Sequence, residues 1–445
     1  MRKPRALAIG AAVLALGAYA SADAFDVVPG ILTTRPPLAS PQPYPTLSVP
    51  TTTPVSPAAA PEPFSQAGAL QERAEEFASS ASALGPGVAV RILDVASGTV
   101  LADVAGDRAH ATASSIKVAT AVAALAELGP DTPVPTDVTF AGDTVTLVGH
   151  GDLRLTPAIL AQLAADTHDS LAAAGVNEVR LAVDDTAFTG ATFSPGWGDL
   201  DRPWVQPIVA LAVNSGRSQG TNEDADPPLA VGEIFAAELR EAGTTVREVT
   251  RASSPDDAEV LTSWQGTSVG DVVTHTLKHS DNTTAEALGR IVAIHRGHPG
   301  TFEGARTAVT EALADVGFDT TGLHLADTCG LDSATRAPAR LLADLARAAA
   351  LGEPAALGPG IAGLPIAGLD GTLKTRLPDS AGLVRAKTGT LVTAVSLTGI
   401  AEAGKGRMLA FSILADKVER GAYRQARAEL DAFVTSLTRT EESGD

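Results

Sequence analysis

Cysteine is almost missing from this chain. Cys329 is its one cysteine, so no internal disulfide can form. A thiol nucleophile finds little support either: the nearest base, His324, lies five residues upstream in a loop-like stretch. A small, half-buried packing residue suits Cys329 better. Positive charge is scarce, with 33 Lys and Arg against 52 Asp and Glu and a formal net charge of -19. That balance excludes tracking a nucleic-acid backbone and suits an exposed, soluble protein. Lysine is rarer still, at Lys3, Lys117, Lys278, Lys374, Lys387, Lys405 and Lys417 alone. Apolar runs are short: the N-terminal one, residues 6–20, falls below the length of a full membrane span.

What is present is enough for packed cores. Hydrophobic residues make up 44% of 445 positions, a length that suggests two or three domains. Arg2, Lys3 and Arg5 precede the apolar run, and Ala20-Ser21-Ala22 or Ala22-Asp23-Ala24 would suit a signal peptidase. Residues 1–24 therefore read as a signal peptide or membrane anchor, with an extracytoplasmic destination, secreted or held at the outer face of the cytoplasmic membrane. Residues 25–64, rich in Pro, Thr and Ser, read as an extended linker.

The remaining chain divides by its periodicity. A helix is expected at 66–83, strands at 87–94 and 99–104, and an alanine-rich helix from Ser114 to 128, where Gly129-Pro130 ends it. Residues 133–255 show short alternating strands, such as 143–148 and 178–183, and read as an inserted mostly-β region. Helical spacing returns at 270–279, 283–296 and 305–316. Strands follow at 383–390, 394–401 and 408–416, then a helix at 422–437. The pattern is α+β: a body in two pieces, 65–132 and 256–440, interrupted by the insert.

Three short motifs occur in order: Ser114-Ser115-Ile116-Lys117, Ser280-Asp281-Asn282 and Lys387-Thr388-Gly389, the last followed by Thr390. A serine hydroxyl needs a base to become a nucleophile, and residues three apart on a helix share a face. Lys117 is the only lysine with a serine three positions before it. It can act as that base if burial or a second cation, such as Lys387, lowers its pKa. A helix N-terminus at Ser114 would stabilise a developing oxyanion. Taken singly the motifs are weak: Ser114 and Ser280 could be helix caps, and Lys117 a solvated lysine. Lys-Thr-Gly inside a strand is rarer, because a strand glycine needs a reason such as close approach of a ligand, here room for substrate backbone to lie alongside.

The trio resembles that of the penicillin-binding proteins and β-lactamases. Finer similarities are to the class C penicillin-binding proteins, the D-alanyl-D-alanine carboxypeptidase/endopeptidase family. They include LVGHGD at 147–152, VDDTAF at 183–188, Gly196-Trp197, LAVN at 211–214, SDNTTAE at 280–286, LPIAGLDGTLK at 364–374 and AKTGTL at 386–391. The likeness spans residues 64–437, including the long interval between the first two motifs.

This resemblance implies a transpeptidase-like fold, an antiparallel sheet flanked by helices, and an acyl-enzyme on Ser114. It implies Lys117 as general base, Ser280 as proton relay between Lys117 and the leaving nitrogen, and Asn282 holding the substrate's peptide amide. It further implies Lys387 as positive charge, Thr388 and Thr390 on the terminal carboxylate with Gly389 beside them, and an oxyanion hole from the N–H groups of Ser114 and Thr390. The expected partners are peptidoglycan stem peptides and β-lactam antibiotics; no cofactor and no metal is expected.

The family's usual Asp-Gly-Ser-Gly-Leu-Ser is Asp327-Thr328-Cys329-Gly330-Leu331-Asp332 here. Its following arginine is Ser333, leaving Arg336 as the nearest candidate. That departure concerns the side-chain pocket.

Rival arrangements fit less well. Gly266-Thr267-Ser268-Val269-Gly270 has the form of an α/β-hydrolase elbow, but that fold needs a late histidine and none follows His324. Ser268 with Asp271 reads better as a helix cap. His275 and His279 have metal-like spacing but no third ligand, and read as a solvated helix face. A β-lactamase would carry a Glu-x-x-x-Asn loop between Lys117 and Lys387, and none occurs. A non-catalytic penicillin-binding sensor could keep all three motifs.

Overall fold

The computed structural model describes residues 67–218, 224–404 and 406–439. The expected signal segment and linker lie outside the described residues, among which no helix is long and apolar enough to cross a membrane.

The chain begins with α1 (Ala67–Ser80), β1 (Ala89–Asp94), β2 (Val100–Val104) and the short β3 (Ala109–Ala111). A 3-10 turn, Ala113–Ile116, leads into α2 (Lys117–Leu128). The insert follows as β4 (Thr136–Ala141), β5 (Thr144–Gly149), β6 (Asp152–Leu155), α3 (Pro157–Ala173), β7 (Glu178–Asp184), β8 (Leu211–Val213), α4 (Pro227–Ala242), β9 (Thr245–Arg251) and β10 (Glu259–Trp264). Helices α5 (Val269–His279), α6 (Asn282–His295) and α7 (Phe302–Asp315) come next, then β11 (Arg336–Pro338) and α8 (Ala339–Leu351). The chain closes with β12 (Val384–Thr390), β13 (Val395–Glu402), β14 (Met408–Ala415) and α9 (Tyr423–Leu437).

The main sheet is antiparallel, in the order β12-β13-β14-β1-β2. It joins strands from before and after the insert, residues 89–104 and 384–415. Helices α1 and α9 cover one face, where Phe77 stacks on Phe433 at 4.2 Å between centroids and Leu70, Leu430 and Val434 are buried. Helix α8 packs on the other face, against β1, β13 and β14. Alanine dominates α2 because that helix is buried almost all round, among α5, α6, α7 and α8, and small side chains let four neighbours approach. Truncating its fully buried Leu125 to alanine would cost about 2–5 kcal/mol.

The inserted sheet runs β10-β4-β5-β7-β9, with β5, β7 and β9 parallel. Parallel neighbours need long crossovers, and α3 and α4 provide them. The insert is therefore mixed α/β rather than mostly β. Its helices carry legible starts: Thr156 and Asp226 cap them, each followed by proline. The inserted sheet also extends past residue 255, because β10 is its edge strand beside β4.

Candidate active site

Ser114 lies on the 3-10 turn rather than in the α-helix expected from the sequence, and Lys117 is the first α-helical residue. A 3-10 turn has three residues per turn, so side chains three apart eclipse one another. That geometry brings the Lys117 Nζ to 3.0 Å from the Ser114 Oγ. The turn is forced by its neighbours. Buried Ala113 is held at φ +46, in the left-handed region that non-glycine residues seldom adopt. Against it lies Gly330, where a Cβ would stand 2.0 Å from the Ala113 carbonyl oxygen.

Lys117 is fully buried and makes three contacts. Besides Ser114, its amine donates to the Asn282 Oδ1 at 2.6 Å and to the Cys329 carbonyl at 2.6 Å. Both of these partners can only accept. A neutral amine has two protons and one lone pair, so it satisfies both carbonyl-type oxygens and turns its lone pair to the one partner that can donate, the Ser114 hydroxyl. Burial lowers the Lys117 pKa; the nearby Cys329 sulfur and the Asp327, Asp281 and Glu286 carboxyls partly offset this.

The second motif joins two helices. Ser280 ends α5 in a left-handed conformation, at φ 57, and Asp281 caps α6 by accepting from the N–H groups of Thr283 and Thr284. The Ser280 hydroxyl is held by the Lys387 amine at 2.8 Å and makes no hydrogen bond to Lys117. Lys387 also donates to the Thr388 carbonyl at 2.7 Å. Burial pushes the Lys387 pKa well below its ordinary value, with Lys117 the next contributor, and no acidic group offsets it. Asn282 donates its Nδ2 to the Trp204 carbonyl at 2.9 Å, so both ends of its amide are engaged.

The third motif lies on β12, the edge strand of the main sheet. A Cβ on Gly389 would meet the Ser396 Oγ at 2.1 Å, the Thr112 carbonyl oxygen at 2.7 Å and the Ala113 Cβ at 2.9 Å. Its missing side chain therefore makes room for the nucleophile-bearing segment, not for substrate backbone. A buried hydroxyl chain fixes the same approach: Ser396 donates to the Thr112 carbonyl at 2.7 Å and pairs with the Ser115 Oγ at 2.8 Å. Ser115 in turn reaches the Lys387 carbonyl at 3.3 Å. Thr388 is buried and pairs with the Thr372 Oγ1 at 2.8 Å, whereas Thr390 is exposed at the strand's end. Thr372 belongs to the 364–374 segment.

Cys329 is fully buried rather than half-buried, and its contribution comes from its backbone. The loop it occupies is fixed by Asp327, which accepts from the Trp197 indole N–H at 3.0 Å and the Gly330 amide at 2.9 Å. Trp197 and Trp204 both come from the insert, which thus supplies a wall of the site. Glu286, Asp327 and Cys329 offer donor atoms within 4.8 Å of one another. They do not fit a metal: Asp327 is consumed by N–H and hydroxyl donors, and burial, with Asp327 and Glu286 beside it, holds the thiol protonated.

The other sequence candidates have local uses. Ser268 caps α5, accepting from the Asp271 N–H at 3.2 Å. His275 is part-buried, with its Nε2 3.2 Å from the Asp281 Oδ2, and so steadies the cap of α6 rather than lying on a solvated face. Arg336, the nearest candidate for the family's arginine, pairs with Asp416. Arg306 lines a cleft with Ser194, Gly196, Glu303 and Asp332.

Residues 70–228 and 222–437 match the D-Ala-D-Ala carboxypeptidase 3 (S13) family. A carboxypeptidase of Mycobacterium tuberculosis, Rv3627c, is 34% identical over 374 residues, covering 79% of this chain and 80% of that protein. The carboxypeptidase DacB of Mycolicibacterium smegmatis is 33% identical over 371 residues, covering 78% and 79%. Among solved structures, penicillin binding protein 4 (dacB) from Haemophilus influenzae shares the fold, with a TM-score of 0.70 at 20% identity over 80% of this chain and 99% of that one.

Proposed function

This chain belongs to the D-Ala-D-Ala carboxypeptidase 3 (S13) family, and on that premise we propose a serine-type D-alanyl-D-alanine carboxypeptidase that works through an acyl-enzyme on Ser114. One contact carries the assignment of roles: the Lys117 amine lies 3.0 Å from the Ser114 hydroxyl while its other two partners are oxygens that cannot donate. Lys117 takes the serine proton as Ser114 attacks the carbonyl between the last two D-alanines of a peptidoglycan stem peptide. The N–H groups of Ser114 and Thr390 receive the oxyanion.

The proton must then reach the leaving nitrogen. Ser280 gives its own hydroxyl proton to that nitrogen, D-alanine departs, and the proton taken by Lys117 replaces it, a transfer that requires Ser280 to turn from Lys387 toward Lys117 when substrate binds. Asn282 keeps Lys117 through its Oδ1, while its Nδ2 exchanges the Trp204 carbonyl for the substrate's peptide. Water, activated by Lys117, hydrolyses the ester and restores Ser114. A β-lactam traps the same serine. The penicillin adduct, unlike the peptide ester, persists, because no Glu-x-x-x-Asn loop supplies a carboxylate to activate water against it and the carboxyls of Glu286 and Asp327 are buried at the 328–332 loop.

We place the reaction outside the cytoplasmic membrane, on the basic and apolar pattern of residues 1–24. The deciding experiment is mass spectrometry after penicillin treatment, with D-alanine release from a stem-peptide mimic. An adduct on Ser114 with D-alanine release supports the proposal. An adduct without release makes the protein a sensor, and rapid loss of the adduct makes it a β-lactamase.

A further inference from the structure

Lys117 and its neighbour Thr120, one turn on along α2, both donate to one loop. Lys117 reaches the Cys329 carbonyl at 2.6 Å and Thr120 the Thr328 carbonyl at 2.6 Å. The amides of the same two residues point the opposite way, and both donate to a single oxygen, the Glu286 Oε1, at 2.7 Å each. Two successive residues are thus clamped between α2 and α6, the peptide group that joins them from both sides. Glu286 lies four residues after Asn282 on α6, so both share one helix face. One face of α6 therefore supplies both oxygens that orient Lys117: Asn282 directly, and Cys329 through Glu286.

We propose that Glu286 is a positioning residue for Ser114 acylation, which sets the Cys329 carbonyl and thereby aims the Lys117 amine at the Ser114 hydroxyl. Packing alone does not account for it. Glu286 is completely buried, and its second oxygen makes no hydrogen bond. A carboxyl in such a place is unfavourable, whereas a leucine of similar size would fill the space at no such penalty. The segment it grips, residues 328–330, lies in neither helix nor strand, so no backbone ladder would keep the Cys329 carbonyl in place. Glu286 acts only through Cys329 and is not a catalytic residue.

This inference rests on Lys117 being the base, and the test separates the two. Labelled penicillin is reacted with the full chain and with Glu286→Gln, Glu286→Leu and Glu286→Asp, normalised to titratable sites. Gln keeps an acceptor oxygen at the right reach. It should hold the limiting acylation rate within about tenfold of the unmodified protein. Leu removes the acceptor and should lose about a hundredfold, the effect of misplacing a reacting group by about 1 Å. The half-saturating penicillin concentration should stay within about threefold in all, since the ligand-binding strand is untouched.

If the Leu protein does not fold, Gln against Asp decides the matter. Asp keeps the carboxyl group but is too short to reach both amides, and should be the slower of the two. The inference is overturned by a Leu variant as fast as the unmodified protein, or by an Asp variant that matches or exceeds Gln. A Lys117→Arg protein of full activity would instead remove the premise, whatever the Glu286 series shows.

Discussion

Gly389 lies so close to Thr112 that a Cβ on the glycine would stand 2.7 Å from the Thr112 carbonyl oxygen. The glycine of the Lys-Thr-Gly motif is thus a contact point between strand β12 and the segment that carries the nucleophile. Gly389→Ala should push that strand from Ser114 and cut penicillin acylation at least about tenfold, with overpacking costing about 1–3 kcal/mol of stability. Adding Ser396→Ala clears one of the three clashes but leaves the Thr112 oxygen and the Ala113 Cβ in place. The double variant should therefore stay slow, and full recovery would show that only the Ser396 hydroxyl was in the way.

The Lys117 amine sits among two pure acceptors and one hydroxyl, a set that a neutral amine satisfies with two protons and a lone pair, and burial is what favours that form. Burial lowers its pKa below the ordinary 10.5. Because the neutral amine is the base, acylation should rise with pH and level off above that lowered value. Lys117→Arg should lose about a thousandfold, since guanidinium keeps its proton at any accessible pH. Acylation kinetics from pH 5 upward, on both proteins, would check this. A flat profile would rule out a titrating base.

Local features of the site were legible in the sequence, and relational ones were not. Ser114 and Lys117 are three apart, and their contact follows from one turn of helix. Ser280 and Lys387 are 107 residues apart, and no local spacing brings them together. Cys329 was set aside because its side chain promised little chemistry; its backbone carbonyl, which any residue would supply, is what touches Lys117. Ser396, Thr372 and Trp204 act across the fold in the same way, and no spacing announces them. The insert's helices were missed for another reason. Alternating strands at 143–148 and 178–183 suggest a mostly-β region, but β5 and β7 are parallel, and parallel pairing needs a long crossover, here a helix, between them.

Glu286 should make stability depend on pH. Burial, reinforced by Asp327, raises its carboxyl from 4.5 to about 7 in the folded protein. The unfolded chain therefore releases this proton near pH 4.5 and the folded chain only near 7. Between those values the folded state binds more protons, so unfolding free energy falls as pH rises. The loss is about 1.4 kcal/mol per pH unit and about 3 kcal/mol in all. Denaturant melts at pH 5 and pH 8 should show it, and Glu286→Gln should flatten the difference. An unchanged slope in that variant would assign the effect to other groups.

A substrate with a free C-terminal carboxylate should do more than bind better; it should help to create the base. In the free protein Lys387 is fully buried with no acidic partner, so its charge is disfavoured by burial and by Lys117. A carboxylate received by exposed Thr390 at the end of β12 would lie beside this strand and stabilise the Lys387 ammonium. Two buried amines that repel one another share charge poorly, so fixing it on Lys387 drives it from Lys117, the form that accepts the serine proton. Amidating the terminal D-alanine removes a hydrogen bond to a charged group and this push together. The first loss alone is about 1.5–3 kcal/mol, so the amide should react at least about tenfold more slowly. The rate with the acid should level off at a lower pH than with the amide, and the gap should narrow as pH rises and Lys117 becomes neutral unaided. Thr390→Val should remove most of the acid's advantage while leaving the amide's rate nearly unchanged. Equal rates for acid and amide in the unmodified protein would show that β12 does not capture a carboxylate, and would point to internal cross-links as the natural substrate.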